Sequence, residues 1–245
     1  MEQYAHITSL LALTMGASWA AGLNLYATLA MLGLASSFGQ IELPADLQIL
    51  QSPLVIGAAM IMYVIEFITD KIPGLDSAWD SLHTFIRIPA GAMLAAGAIG
   101  DVGPVMEFAV AIMGGGLATT THLTKAGSRA VINTSPEPFS NWTASVGEDV
   151  AVFGGLYTAL NHPTLFLVLL FVFMLFVIWL LPKIWSAIKG ILGFIGRLFG
   201  ANSASREEQP EQATDIEQLT KLKALLDSGA LTEAEYEAQK QKILR

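Results

Sequence analysis

The residues with chemistry to offer crowd into two stretches of an otherwise apolar chain. The first is YVIEFITDKIPGLDSAWDSLHTFIRIPAGA, from Tyr63 to Ala92. Glu66 lies four residues before Asp70, so both carboxylates share one side of a helix end, which Lys71, Pro73 and Gly74 then terminate. Asp76, Asp80, His83 and Arg87 follow at spacings of four, three and four, along one face of a short helix whose other sides carry Trp79, Leu82, Phe85 and Ile86. The second stretch, GGGLATTTHLTKAGSRAVINTSPEPFSNWTASVGED, runs from Gly114 to Asp149. In it His122, Lys125 and Arg129 share a helical face among threonines, and Glu148 and Asp149 open the next apolar run. Lys, Arg, hydroxyls and glycine-rich backbone can bind an anion or a lipid headgroup, and carboxylates at membrane depth mark an ion pathway or an internal pair. The plainer reading makes the same residues interfacial loop charges and topology anchors.

The elements that must position these residues are apolar helices. Of 245 residues 53% are apolar and 14% charged, against about 25% charged in ordinary soluble domains. The mean hydropathy is +0.54. Such a chain has too few charges to cover a water-facing surface, so a soluble enzyme is excluded. The net charge of −8 argues against nucleic acid as a partner, and the absence of cysteine removes disulfides, thiolate metal sites and cysteine nucleophiles. No P-loop, HExxH or GxSxG motif is present, and His6, His83, His122 and His162 stand too far apart in sequence to suggest a local metal site. No cofactor is expected.

The expected fold is all-α and polytopic, with about six crossings, some short or broken. Pro163–Leu181 is the clearest span; Ser52–Ile68, Val105–Ala118 and the region of Val150–Leu160 are others. Ile7–Phe38 is too long for one crossing and is interrupted by Gly16, Gly22 and Asn24, which predicts a broken element resuming at Leu23–Ala35. Pro89–Ile99 reads as a short helix opening on its proline. Six crossings with both termini inside put all thirteen Lys and Arg on the cytoplasmic side, and the opposite loops carry none. The location expected is therefore a cell inner membrane, with the lipid bilayer as partner. No cleavable signal is expected, since nothing basic precedes a first apolar run that is already too long.

Residues 1–182 thus read as a transmembrane domain, and 183–199 as an amphipathic helix lying in the interface or extending the last span. Residues 200–214 have the composition of a flexible linker. Residues 215–245 read as two short helices, the first with a Leu stripe ending at Gly229, the second opening on a Thr232–Glu235 capping box. The segment LTKLKALLDSGALTEAEYEAQKQKILR resembles the short C-terminal domain called SHOCT. That resemblance implies a helical hairpin appended to other domains, with a role in forming homo-oligomers through residues 215–245.

AGLNLYATL, EFITDKIPGLDSAWDSLHTFIRIPAGA and KAGSRAVINTSPEPFSN resemble an integral membrane family catalogued as domain of unknown function 4126, over roughly Leu10 to Leu160. The resemblance implies fold and location and carries no activity. EFITDK is also similar to the Glu-x-Gly-Asp-Lys motif of manganese and calcium exchangers, but Glu66 and Asp70 are one residue further apart and no second copy exists. MGASWAAGLNLYATL and MGGGLATTTHLTKAG echo each other, placing Asn24 and His122 at matching interruptions of a two-half plan.

Three functions follow as expectations. The first is a transporter or channel-like protein for an ion, small polar solute or lipid headgroup, with Asn24, Glu66, Asp70, Lys71, Asp76, Asp80, His83, Arg87, His122, Lys125, Arg129, Glu148 and Asp149 along its pathway. In it Glu66 and Asp70 approach Lys125, Arg129 or Arg87 and line a cytoplasm-facing polar pocket. The second is an oligomeric scaffold assembled through the SHOCT-like tail. The third is a lipid-directed enzyme, for which no nucleophile–base arrangement is readable.

Overall fold

A computed structural model describes residues 2–72, 74–134, 139–198 and 210–243. Every regular element in it is helical: α1 (Glu2–Leu23), α2 (Leu25–Ser37), a short 3-10 helix (Ala45–Gln51), α3 (Pro53–Thr69), α4 (Leu75–Ile99), α5 (Pro104–Ile132), α6 (Phe139–Asn161), α7 (Pro163–Leu198), α8 (Pro210–Asp227) and α9 (Glu233–Ile243). The chain forms two units, Met1–Ile188 and Lys189–Arg245.

Within the first unit α1 is the central helix. From Gly16 to Leu23 every residue is buried, and most are Gly, Ala or Ser. Small residues let its neighbours approach closely. A Cβ on Gly22 would collide with Thr121 of α5, and one on Gly16 with Ala159 of α6. The one aromatic residue of that segment, Trp19, meets Phe166 and Phe173 of α7 edge-on, both at 6.0 Å. Helices α4 and α5 form an antiparallel hairpin closed by a turn in which Gly100 (φ 75°) and Gly103 (φ 88°) hold left-handed backbone.

Among the described residues two helices are long and apolar enough to cross a membrane, Leu75–Ile99 and Pro163–Phe194, or three if the 3-10 helix and α3, bent by 68°, make one span. On α7 Leu169, Phe171, Val172, Leu175, Phe176, Ile178 and Trp179 all face outward. In water such a surface would aggregate; in a bilayer it is solvated. This is a membrane-associated helical protein.

Several expectations shift. The long N-terminal run breaks at Asn24 alone; Gly16 and Gly22 lie inside α1. Pro89 does not open a short helix but lies inside α4, which is continuous from the acidic stretch to Ile99. Helix α5 passes through His122 without interruption, so the two-half echo has a real break only at its first copy. Helix α7 runs unbroken through Pro182 to Leu198. The linker expected over 200–214 lies outside the described residues as far as 209, and from Pro210, a residue suited to a first helical turn, the chain is already helical. The turn expected at Ser135–Pro138 lies outside the described residues.

Candidate functional site

One end of the first unit gathers the C-terminal end of α3, the N-terminal half of α4, the C-terminal half of α5, the N-terminal half of α6 and the α1–α2 break. Their charged side chains are buried together: Glu66, Asp70, Asp76, Asp80, Arg87, Lys125, Arg129 and Asp149. Glu148, beside them, is 16% exposed at its side chain.

Arg87 and Lys125 lie at the centre. The Arg87 guanidinium donates to Glu66 Oε1 at 2.6 Å and to Asp80 Oδ1 at 2.9 Å. Lys125 Nζ lies 2.9 Å from Asp70 Oδ2, 3.4 Å from Glu66 Oε1, 3.4 Å from Glu148 Oε2 and 3.8 Å from Asp80 Oδ1. Arg129 grips Glu148 with two parallel bonds, Nε to Oε1 at 3.1 Å and Nη2 to Oε2 at 2.9 Å. Its Nη1 donates to the carbonyl of Asp70 at 2.9 Å, one of the carbonyls left free where α3 ends.

The break at Asn24 is built into this network. In a continuous helix the Ala27 N–H would bond the Leu23 carbonyl. Instead Ala27 N–H donates to Asn24 Oδ1 at 2.9 Å, an N-cap that starts α2, and the Leu23 carbonyl accepts from Lys125 Nζ at 3.2 Å. Two side chains thus replace one backbone bond. Asn24 Nδ2 then donates to Asp149 Oδ1 at 3.2 Å, and the Tyr63 hydroxyl donates to Asp149 Oδ2 at 3.3 Å.

Hydrogen-bond logic fixes the tautomer of His122. Arg87 can only donate, so His122 Nδ1, 3.1 Å from Nη1, accepts; its proton sits on Nε2 and is donated to Thr84 Oγ1 at 2.7 Å. Thr84 passes its own hydroxyl hydrogen to the Asp80 carbonyl at 3.0 Å. His83 donates from Nδ1 to the Trp79 carbonyl at 2.9 Å, stacks on the Trp79 ring, and shares a hydrogen bond at Nε2 with the Tyr26 hydroxyl, 3.0 Å away. Asp76 accepts from the backbone N–H groups of Gly74 and Ser77 and from Asn133 Nδ2. Asn141 Nδ2 in turn holds Asn133 Oδ1 at 2.6 Å.

Of the residues expected along a pathway, His83 bonds to Tyr26 and Trp79 rather than to the buried charges, and Lys71 likewise stands apart from direct pairing. Its ammonium turns back over the Phe67 ring, 2.9 Å from the centroid, and donates to the Phe67 carbonyl. Arg87, Lys125 and Arg129 are not loop anchors; they lie inside helices and are buried. These charges pair directly, and cavities of about 320 and 400 Å³ lie elsewhere, one among Trp19, Gly155, Phe166 and Phe173, the other among Leu47, Met93, Leu94 and Gly97.

Sequence reasoning missed Tyr26, Tyr63, Thr84, Asn133 and Asn141. For three of these the signal was helical spacing. Tyr63 precedes Glu66 and Asp70 by three and seven, Thr84 follows Asp80 by four, and Asn133 follows Arg129 by four.

No curated protein and no solved structure shows a significant match to the chain. Residues 217–244 match the short C-terminal domain, SHOCT. Residues 11–183, which include every residue of the charged network, match the model of the domain of unknown function DUF4126, and the chain belongs to that family.

Proposed function

We propose that the first unit is a transporter or channel-like protein for an ion, a small polar solute or a lipid headgroup, and that the charged network around the α1–α2 break is its pathway. The observation that carries this reading is the burial of Glu66, Asp80, Arg87, Lys125 and Arg129 against a helix broken in its interior. Structural packing alone does not call for charge here, because a buried ion pair is often no more stable than apolar residues of the same volume. Charges at membrane depth together with a discontinuous helix are the usual equipment of an ion or solute path. In this reading residues 1–182 cross an inner membrane about six times with both termini cytoplasmic. The loops at 36–51, 100–104 and 161–163 carry no Lys or Arg, which supports that orientation.

The test is flux through the full chain in liposomes, against a panel of inorganic cations, anions, small polar solutes and short-chain phospholipids. The reading expects at least one to move, and expects Glu66→Gln and Arg129→Gln to abolish that movement in protein that remains folded. If the pairing is only structural, Glu66→Gln lowers the melting temperature and leaves flux intact, and the reading fails.

A second reading, an oligomeric scaffold assembled through residues 215–245, is favoured by the tail. No α9 residue is buried, and Leu225 of α8 is 46% exposed. So small a hairpin gains little core alone and more against another copy. Removing residues 201–245 should then lower the mass measured by light scattering in detergent. An unchanged number of protomers would sink the scaffold reading.

A further inference from the structure

The six acidic residues of the network are not equivalent. Glu66, Asp70 and Asp80 each bond directly to Arg87 or Lys125, and Glu148 is clamped by Arg129. Asp76 has only neutral donors within hydrogen-bonding distance, but it takes them from two backbone N–H groups at the start of α4 and from Asn133, and Arg129 Nη1 stands 4.0 Å away. A helix N-terminus stabilises negative charge. Asp149 has none of this support. Its two side-chain partners are an amide and a phenol, both at long range, and it sits in the interior of α6, 9% exposed. Against these six carboxylates the network holds three permanent cations, Arg87, Lys125 and Arg129. A buried carboxylate without a bonded cation is costly as an anion and cheap as an acid.

We propose that Asp149 is a proton-binding site, taking up and releasing one proton at Oδ2 against the Tyr63 hydroxyl and reporting its charge to the α1–α2 break through Asn24. The inference rests on the transport reading and deepens it by naming the proton as an ion the unit handles. The geometry serves both protonation states without moving a heavy atom. As an anion, Asp149 accepts from Asn24 Nδ2 at Oδ1 and from Tyr63 at Oδ2. As an acid, its new O–H donates to the Tyr63 oxygen, whose hydroxyl hydrogen rotates away, while Asn24 still donates to Oδ1. Asn24 has no freedom to present its other end, because Oδ1 is committed to the Ala27 N–H at 2.9 Å. The amide that caps α2 is therefore the amide that feels the charge on Asp149. Losing the anion weakens the bond that holds the cap in place, so proton uptake loosens the break.

The charged and titratable groups around Asp149 come from each neighbouring segment. Tyr63 and Asp70 stand on α3 and at its end, Lys71 follows, Lys125 stands on α5, and Glu148 is the chain neighbour on α6. The α1–α2 break contributes only neutral Asn24. The Asp70 carboxylate opposes the anion; Lys125 and Lys71 favour it. The ligand is a proton rather than a metal ion, since among the described residues no three His, Asp or Glu side chains converge as metal ligands. On release the proton passes to a water molecule, and the electron pair stays on the carboxylate oxygen.

The test is infrared difference spectroscopy of the full chain in lipid nanodiscs as pH is raised and lowered. Wild type should show a protonated-carboxyl C=O band that disappears reversibly on alkalinisation. Asp149→Asn should remove that band, and Tyr63→Phe should shift it by deleting its hydrogen-bond partner. A band that persists in Asp149→Asn overturns the proposal. If Asp149→Asn does not fold, Tyr63→Phe decides alone, and an unshifted band overturns it. The readout needs no flux, so the two ideas fail separately. A titrating Asp149 in a protein that moves nothing keeps the proton site and removes transport. Flux indifferent to a pH gradient, with no band lost in Asp149→Asn, removes the proton site and leaves transport standing.

Discussion

Helices α4 and α5 pack against each other along their whole length, yet their two halves are held by different physics. Toward the Gly100–Gly103 turn the contact is steric. Gly91 faces Ala118 and Gly114 faces Ala95, so closely that a Cβ on either glycine would overlap the facing alanine. Toward the other end the same two helices meet through Arg87, His122 and Lys125, which pair with one another's neighbours and with the carboxylates of α3 and α6. The first half is stabilised by the absence of side chains, the second by their charge pairing. One consequence is that the two halves fail differently. The apolar half fails when atoms are added, the polar half when a charge is removed.

The sharpest way to break the comparison is to remove the cation shared by two carboxylates. Arg87 is fully buried and neutralises Glu66 and Asp80, themselves buried. Arg87→Met nearly conserves volume but leaves Glu66 and Asp80 only the more distant Lys125, and breaking a buried pair on one side costs about 3–5 kcal/mol. Thermal unfolding in detergent should show a large drop. Adding Glu66→Gln to Arg87→Met should recover a substantial part of it, because the orphaned anion is gone. A double variant no more stable than the single one would mean that Arg87 matters through its packing, and the electrostatic half of the comparison would fall.

Much of this arrangement could be read from spacing, because a helical face is a local property. The sets Glu66–Asp70, Asp80–His83–Arg87 and Lys125–Arg129 were legible for that reason. Which faces meet across the bundle is a tertiary fact, so Lys125, Arg129 and Arg87 stood as alternatives for Glu66 and Asp70, and the choice of Arg87 for Glu66 and Lys125 for Asp70 was not legible. Pro89 misled because proline is commonest at a helix start; here α4 continues through it. Glycine misled in the N-terminal run. Gly16 and Gly22 looked like interruptions, but helix α1 keeps them for close approach to Ala159 and Thr121. Asn24 breaks the helix because its side chain supplies a competing acceptor for the Ala27 N–H, which glycine cannot do. The six-crossing count was drawn from apolar runs and basic loops, whereas α1, α5 and α6 carry enough small and polar residues that length and apolarity single out only α4 and α7, or those two with the bent pair.

The steric half has a finer test inside a single triplet. Gly114, Gly115 and Gly116 are consecutive, so they project about a hundred degrees apart around α5 and meet three different surroundings. A Cβ on Gly114 would overlap Ala95 and lie 2.7 Å from Ser18 Oγ and 3.0 Å from the Gly91 carbonyl. One on Gly115 would lie 3.3 Å from Ala92 Cβ, and one on Gly116 would meet nothing within 4 Å. Gly114→Ala forces two helix backbones apart and should destabilise by roughly 1–3 kcal/mol, the usual cost of overpacking a filled core. Gly116→Ala adds a methyl on an open face and restricts the unfolded chain, so it should stabilise by about 0.5–1 kcal/mol. Gly115→Ala should fall between, since Ala92 must yield by a few tenths of an ångström. Equilibrium unfolding of the three single variants in one detergent gives the order directly. Equal values at all three positions would mean that α4 and α5 are not in the close contact on which the comparison depends.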